Sequence, residues 1–300
     1  MGTPEFSLLG LKKLIAEPLF DIVGVFTQPD KPIGREQKVN FPPIKKLALE
    51  NNLAVFQPMK IKDELETIKN LKPDLIVVIA YGKIIPQSIL DIPVYGCINV
   101  HASLLPKYRG AACLNAPILY GDKETGVTIM RMEAGLDTGP VLRQAKIKLG
   151  GQETLEVVHD KLSALGAELL VPTLHDFIDE KISPQTQDDS QASYITTLKK
   201  EDGKIDWTKP AEEIERMVRA YNPWPGTYAL LNEKIIKIIA VENKVVKINE
   251  YKSGETFIID GKLAIQCGQD SLVILKLQLE GKKIMSAEEF MRGNKITLLK

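Results

Sequence analysis

Residues 74–80 read Asp-Leu-Ile-Val-Val-Ile-Ala, an unbroken apolar run behind one aspartate. Successive side chains of a strand point to opposite faces, so a strand of this composition meets water on neither side. Sheets covered on both faces are built from alternating strands and helices, and the flanking sequence supplies the helices. Residues 7–16 carry Leu8, Leu11 and Ile15 at helical spacing, and residues 43–51 place Ile44, Leu47 and Ala48 on one face. Residues 65–71 form another amphipathic turn or two, and residues 154–180 align Leu155, Val158, Leu162, Leu165, Leu169 and Leu170 for one buried face. Short apolar runs at 21–27, 96–100 and 127–132 read as further strands, with a helix near 114–120 between the last two. The pattern predicts an α/β domain over residues 1–182 with a mostly parallel sheet.

The character of the chain changes after Glu180. Residues 183–193 (SPQTQDDSQAS) hold no aromatic or large aliphatic side chain, which marks a linker over residues 183–198. From 199 to 300, beyond a short helix at 211–220, the chain becomes short apolar runs at 227–231, 234–241, 244–248, 256–259, 262–267 and 271–278. Close spacing with polar turns predicts a small β-barrel. Ser286 and Glu289 form a capping box that opens a last helix. At the other end, Gly2-Thr3-Pro4 reads as the turn that follows the first strand of a doubly wound domain, with that strand missing from the sequence.

Composition removes several classes of function. Lys plus Arg and Asp plus Glu number 39 each, so a nucleic-acid partner would have to be held by local patches rather than a whole-molecule field. The three cysteines (Cys97, Cys113, Cys267) are odd in number and form no C-x-x-C, which argues for reduced thiols in the cytoplasm and against a disulfide framework or zinc knuckle. No apolar run approaches the length of a bilayer span. The N-terminus lacks a basic region before an apolar stretch, and Phe6 stands where a myristoylation signal needs Ser or Thr. No His–carboxylate cluster has metal-ligand spacing, and Gly2, Gly10 and Gly24 do not make G-x-G-x-x-G.

Only three histidines are available for acid–base work. His159 and His175 fall within the long helical stretch and read as surface or packing residues. His101 ends a strand and enters Ala102-Ser103-Leu104-Leu105-Pro106. Asn99, two residues earlier, shares its face, at the carboxyl end of a strand where open α/β sheets bind ligands. In Gly135-Leu136-Asp137-Thr138-Gly139 two glycines bracket an acid, either a turn in a surface connection or a carboxylate delivered to a fixed place. Beside His101 it would raise and orient the imidazole. An amide, an imidazole and a carboxylate satisfy acyl transfer to an amine, where an oxyanion needs a donor and a proton must move. Ser103 could complete a hydrolytic triad, but no G-x-S-x-G elbow surrounds it.

Several segments resemble the methionyl-tRNA formyltransferases: GTPEF, VGVFTQPDKPIGR, IVVIAYGKIIP, GCINVHASLLPKYRGAA, GDKETGVTIMRMEAGLDTG, KIDW, RAYNPWPGTY and GKKIMSAEEF. The resemblance implies a Rossmann-like formyltransferase domain followed by an OB-like barrel that binds tRNA. It implies transfer of a formyl group from 10-formyltetrahydrofolate, as co-substrate, to the α-amino group of initiator methionyl-tRNA, with no metal. By position Asn99, His101 and Asp137 match the family's catalytic trio. Ser103, Leu104, Leu105 and Pro106, with Tyr81 and Gly82, match the segments along the folate. Arg35, Lys31 and Lys38 match the tRNA-reading loop, whose positive charge suits phosphate contacts. A cytoplasmic monomer is implied.

The chain departs from the family pattern twice. Cys113 follows RGAA where the family carries proline, which loosens the entrance to the next helix. Family members also carry a hydrophobic strand ahead of GTPEF, so the expectation is that Met1 is internal to a longer protein and that the chain as written is poorly stable. Rival readings are a formyltransferase acting on glycinamide ribonucleotide or an amino sugar, a hydrolase releasing formate, and a non-catalytic RNA-binding protein.

Overall fold

The structure is a computed structural model that describes residues 1–33, 38–231, 233–293 and 299. It divides into two compact units, one of Met1–Cys113, Thr125–Ile147 and His159–Ile195, the other of Leu114–Glu124, Lys148–Val158 and Thr196–Lys300.

In the first unit a 3-10 turn, Glu5–Ser7, leads into α1 (Leu8–Ala16), which buries Leu11 and Leu14. Strand β1 (Val25–Phe26) follows, then two short strands, β2 (Lys31–Ile33) and β3 (Lys38–Asn40), that pair antiparallel. Helix α2 (Pro43–Glu50) starts on a proline, whose missing N–H costs nothing at that position, and buries Ile44, Leu47 and Ala48. Strand β4 (Val55–Phe56) lies parallel to β1. Helix α3 (Leu65–Leu71) ends on Lys72 in the left-handed region.

The apolar run at 74–80 contributes β5 (Ile76–Val78), and α4 (Gln87–Leu90) connects it to β6 (Cys97–His101). These strands are parallel, with Val78 opposite Asn99. After α5 (Ala116–Leu119), β7 (Glu124–Arg131) joins β6 antiparallel, setting His101 opposite Thr128, and β8 (Val141–Lys148) completes the order β5-β6-β7-β8. The sheet is therefore mixed, where the pattern predicts mostly parallel pairing. Periodicity reports which faces of a strand are covered but carries no information about its direction, and the connection from β6 to β7 is long enough for either. Strand β8 carries no strand pattern in the sequence, because Arg143, Gln144, Lys146 and Lys148 break its apolar run.

Helix α6 (Leu155–Ile178) buries Val158, Leu162, Leu170 and Leu174 completely, at the spacing one helical face demands. Each such leucine contributes about 1.5–3 kcal/mol relative to an exposed one. Between β1 and β5 the backbone of Met1 and Gly2 forms a short link: the Gly2 amide donates to Phe26 O at 3.0 Å and the Ile79 amide to Met1 O at 2.9 Å. Beside that link lies a cavity of about 670 Å³ lined by Ile22, Gly24, Phe26, Leu75 and Val77 among others.

In the second unit α7 (Ala211–Tyr221) precedes β9 (Thr227–Leu231), β10 (Lys234–Val241), β11 (Thr256–Ile259), β12 (Lys262–Gln266), β13 (Ser271–Leu279) and β14 (Met285–Ser286). They form an antiparallel sheet in the order β11-β12-β13-β10-β9, with β14 on β13. The run at 244–248 makes a single bridge, Val246 to Ser271, instead of a strand. There Lys247 and Asn249 bond the Asp270 carboxylate, side-chain links in place of a backbone ladder. Helix α8 (Ala287–Gly293) opens on a reciprocal cap: the Glu289 amide donates to Ser286 Oγ and the Ser286 amide to the Glu289 carboxylate. Its Phe290 is fully buried with Leu272, Ile265 and Leu277.

Candidate active site

Because β5 and β6 are parallel neighbours, their carboxyl ends reach the same edge of the sheet. The turn Tyr81–Gly82 and the loop after His101 both leave from that edge, and Asn99 and His101 share one face of β6. His101 is 6% exposed and Asn99 half-buried.

Three groups surround the imidazole. Nε2 lies 3.0 Å from the Tyr108 carbonyl oxygen, which can only accept, so Nε2 carries a proton. Nδ1 faces Asp137 Oδ2 at 3.7 Å, and the Cys113 thiol is hydrogen-bonded to the ring. Burial opposes the charged form, but Cys113, Asp137 and the Tyr108 carbonyl outweigh it and raise the His101 pKa from 6.5 to about 9. His101 is thus an imidazolium at neutral pH.

Asp137 reaches this place from the connection between β7 and β8, in the left-handed region at φ 53°. Asp tolerates that conformation better than most residues. Its Oδ2 accepts the Gly110 amide at 2.8 Å. Gly110 has φ 110°, and a Cβ there would stand 2.3 Å from the Ile195 carbonyl oxygen, so only glycine lets that amide reach the carboxylate.

The 103–106 loop is held by residues the sequence did not single out. Thr128 Oγ1 donates to Ser103 O at 2.7 Å and accepts the Leu105 amide at 3.1 Å, while Gln144 Nε2 donates to Leu105 O at 2.8 Å. Ser103 Oγ donates to Lys107 O, so it serves the loop itself and is not poised against His101. Leu104 and Pro106 are half-buried and Leu105 is buried. A polar Thr128 between Val127 and Ile129 is the available signal; Gln144 offers none. Across the edge, Gln28 Nε2 and Thr3 Oγ1 donate to Tyr81 O, and Gly82 adopts φ 75°. The Tyr81 side chain is buried with Phe26, Ile68 and Ile89, its pKa pushed up to about 12 by burial and by Glu64.

The structure thus brings Asn99, His101 and Asp137 to one sheet edge beside Ser103–Pro106, with the Tyr81–Gly82 turn leaving the same edge. It sets Lys31, which is exposed, and Lys38 on a separate two-stranded ribbon; Arg35 lies outside the described residues. His159 pairs with Asp160 and packs edge-on to Phe6, and His175 stacks on Phe20. The three cysteines are buried, and burial raises the Cys97 and Cys267 thiols to about 12. Among the described residues no cluster of His, Cys, Asp or Glu could hold a metal ion, and no helix is long and apolar enough to cross a membrane.

The formyl transferase family pattern matches residues 2–174, and the formyl transferase C-terminal domain pattern matches residues 197–295. Over 300 residues the chain is 47% identical to the methionyl-tRNA formyltransferase of Citrifermentans bemidjiense, covering 99% of this chain and 93% of that protein. The chain belongs to the methionyl-tRNA formyltransferase family. A second family member, from Clostridium novyi, is 43% identical over 303 residues, covering 99% and 97% of the two proteins. The fold recurs more distantly in an N-formyltransferase from Helicobacter canadensis solved with folinic acid and dTDP-3-aminofucose, at TM-score 0.67 and 19% identity, over 91% of this chain and 96% of that one. HypX from Aquifex aeolicus, solved with tetrahydrofolic acid, shares it at TM-score 0.60 and 17% identity, over 81% of this chain and 43% of that one.

Proposed function

We propose that this chain transfers the formyl group of 10-formyltetrahydrofolate to the α-amino group of initiator methionyl-tRNA, giving N-formylmethionyl-tRNA for translation initiation. The observation that carries the reading is identity of 43% and 47% with proteins of that name over nearly their whole lengths. A single-domain formyltransferase would not call for the matched C-terminal region at 197–295.

The chemistry joins a neutral amine to a formyl carbon and breaks the bond from that carbon to the folate nitrogen. The amine loses one proton and the leaving nitrogen gains one. Asn99, with two amide N–H donors, stabilises the formyl oxygen as negative charge develops. His101, favoured as an imidazolium by Cys113 and then Asp137, offers positive charge to the same oxyanion and a proton to the leaving nitrogen, then recovers a proton from the attacking amine. Asp137 sets the ring orientation, a role comparable to the acid of other acid–imidazole pairs. The residues present suit a folate co-substrate: the 103–106 loop is pinned by Thr128 and Gln144 and held by buried Ser103 and Leu105, so half-buried Leu104 and Pro106 can line a preformed wall, with the backbone turn Tyr81–Gly82 at the same sheet edge. Neither metal nor covalent enzyme intermediate is required.

Lys31, Arg35 and Lys38 would meet acceptor-stem phosphates. In this reading residues 1–182 are the catalytic domain, 183–198 the linker and 199–300 an OB-like tRNA-binding barrel, which the antiparallel order β11-β12-β13-β10-β9 supports. The enzyme would act in the cytoplasm as a monomer.

The test is formylation of initiator methionyl-tRNA with 10-formyltetrahydrofolate, read as a mobility shift of the aminoacyl-tRNA. Activity lost in His101→Ala supports the reading. Formate release without acceptor would make the chain a hydrolase, and binding of tRNA without turnover would make it a non-catalytic RNA-binding protein.

A further inference from the structure

Residues 187–195 belong to the polar stretch that composition marks as a linker, yet they carry a dense set of hydrogen bonds within the first unit. The Arg109 side chain is 1% exposed. Its Nε and Nη2 donate to Gln187 Oε1 at 3.1 and 2.9 Å, Nη1 donates to the Tyr194 hydroxyl at 2.8 Å, and Nη2 also reaches Asp189 Oδ1 at 2.7 Å. The backbone is tied as well: the Arg109 amide donates to Ser193 O at 2.8 Å, and the Ile195 amide to Arg109 O at 2.8 Å. On its other side the Gln187 amide nitrogen donates to Asp137 O at 2.8 Å and to Gly139 O at 2.7 Å. Both N–H groups of Gln187 and its carbonyl are therefore used.

Asp137 is consequently held at both ends. Gln187 grips its backbone carbonyl, and the amide of Gly110, the residue after Arg109, grips its carboxylate at 2.8 Å. A loop residue at φ 53° gains from such restraint, because aspartate tolerates that conformation without being confined to it.

We propose that Gln187, oriented by the buried guanidinium of Arg109, is a positioning residue that holds Asp137 in register with His101. The inference rests on the reading of Asn99, His101 and Asp137 as the catalytic trio. It assigns part of the active site to the polar segment leading toward the second unit. Arg109 suits the task because its planar fork can grip one acceptor with two donors while reaching two more partners; a lysine ammonium offers no such geometry.

The test compares Gln187→Glu, Arg109→Lys and Asp137→Asn with the unmodified chain in steady-state formylation and thermal melting. Gln187→Glu keeps an acceptor for Arg109, now charged, but loses both bonds donated to the Asp137 loop. The expected result is a fall in kcat of roughly 10- to 100-fold, the range for partners that orient a catalytic group, with KM for both substrates within about threefold and an unchanged melting temperature. Arg109→Lys should lower kcat in the same way. In an Asp137→Asn background, adding Gln187→Glu should change kcat less than about twofold, because the residue acts through Asp137. Wild-type kcat in Gln187→Glu, or losses that multiply in the double variant, would overturn the proposal. Should Gln187→Glu melt early, NMR titration of His101 in Gln187→Met decides: a pKa moved toward 6.5 supports the clamp and an unmoved one refutes it. An Asp137→Asn chain with full activity would instead refute the catalytic trio, so the two failures are distinct.

Discussion

One oxygen of Asp137 does two things at once: Oδ2 accepts the Gly110 amide at 2.8 Å and stands 3.7 Å from His101 Nδ1. The amide fixes the carboxylate, and the fixed carboxylate adds to Cys113 in favouring the charged imidazole. At 3.7 Å the pair is close enough for Coulomb attraction and too far apart to close a hydrogen bond.

Removing that charge should expose its role. In Asp137→Asn, kcat is expected to fall by roughly 100- to 10,000-fold, with the His101 titration moving toward lower pH. Single-turnover formylation and NMR of the ring protons measure the two effects separately.

The pH dependence of stability has a definite sign. The folded His101 pKa of about 9 lies above the unfolded value of 6.5, so folding favours the protonated form. The stabilisation is complete below pH 6.5 and disappears as pH rises through about 9, amounting to on the order of 3 kcal/mol. Urea unfolding of the wild type and of His101→Gln at pH 6 and pH 9.5 should show the wild type losing this advantage at the higher pH.

Gly110→Ala should be costly for two reasons: φ 110° is unfavourable for alanine, and the added methyl would meet Ile195 O at 2.3 Å. A loss of at least about 1–3 kcal/mol is expected, together with reduced kcat as the amide leaves Asp137. Thermal melting and steady-state kinetics of the same preparation check both.

Gln144→Leu removes the donor to Leu105 O while keeping a similar volume. The 103–106 loop then depends on Thr128, and KM for 10-formyltetrahydrofolate is expected to rise about tenfold with a smaller change in kcat. A KM change confined to the tRNA would contradict the assignment of this loop to the folate.

The tRNA contacts can be examined through salt. If Lys31, Arg35 and Lys38 each neutralise a phosphate, every alanine replacement should weaken tRNA binding and lower the slope of log affinity against log salt by roughly one unit or slightly less. Filter binding over a salt series provides the slopes.

Local order was legible wherever a residue's environment depends on its near neighbours. The bounds of β9 and β10 follow from apolar runs between polar turns, α2 from its spacing and leading proline, and the start of α8 from Ser286 and Glu289. Asn99 and His101 could be paired on paper because two-residue spacing along a strand sets a common face. The rest required the path of the backbone in space. The direction of β7 and the use of Thr128 and Gln144 as loop anchors join segments remote in sequence, and Asp137 could be set beside His101 beforehand only through the family resemblance. Gln187 shows the limit most clearly. Its neighbours are polar and carry no periodicity, so composition describes a linker. Its hydrogen bonds to Asp137 and Gly139 exist because Arg109 is buried beside it, and burial is decided by tertiary packing rather than by residue type. The sequence by itself determined most of the elements and the chemical groups, though not β8; the fold decided which of those groups meet, because hydrogen bonds and charges act over a few ångströms of space and not along the chain.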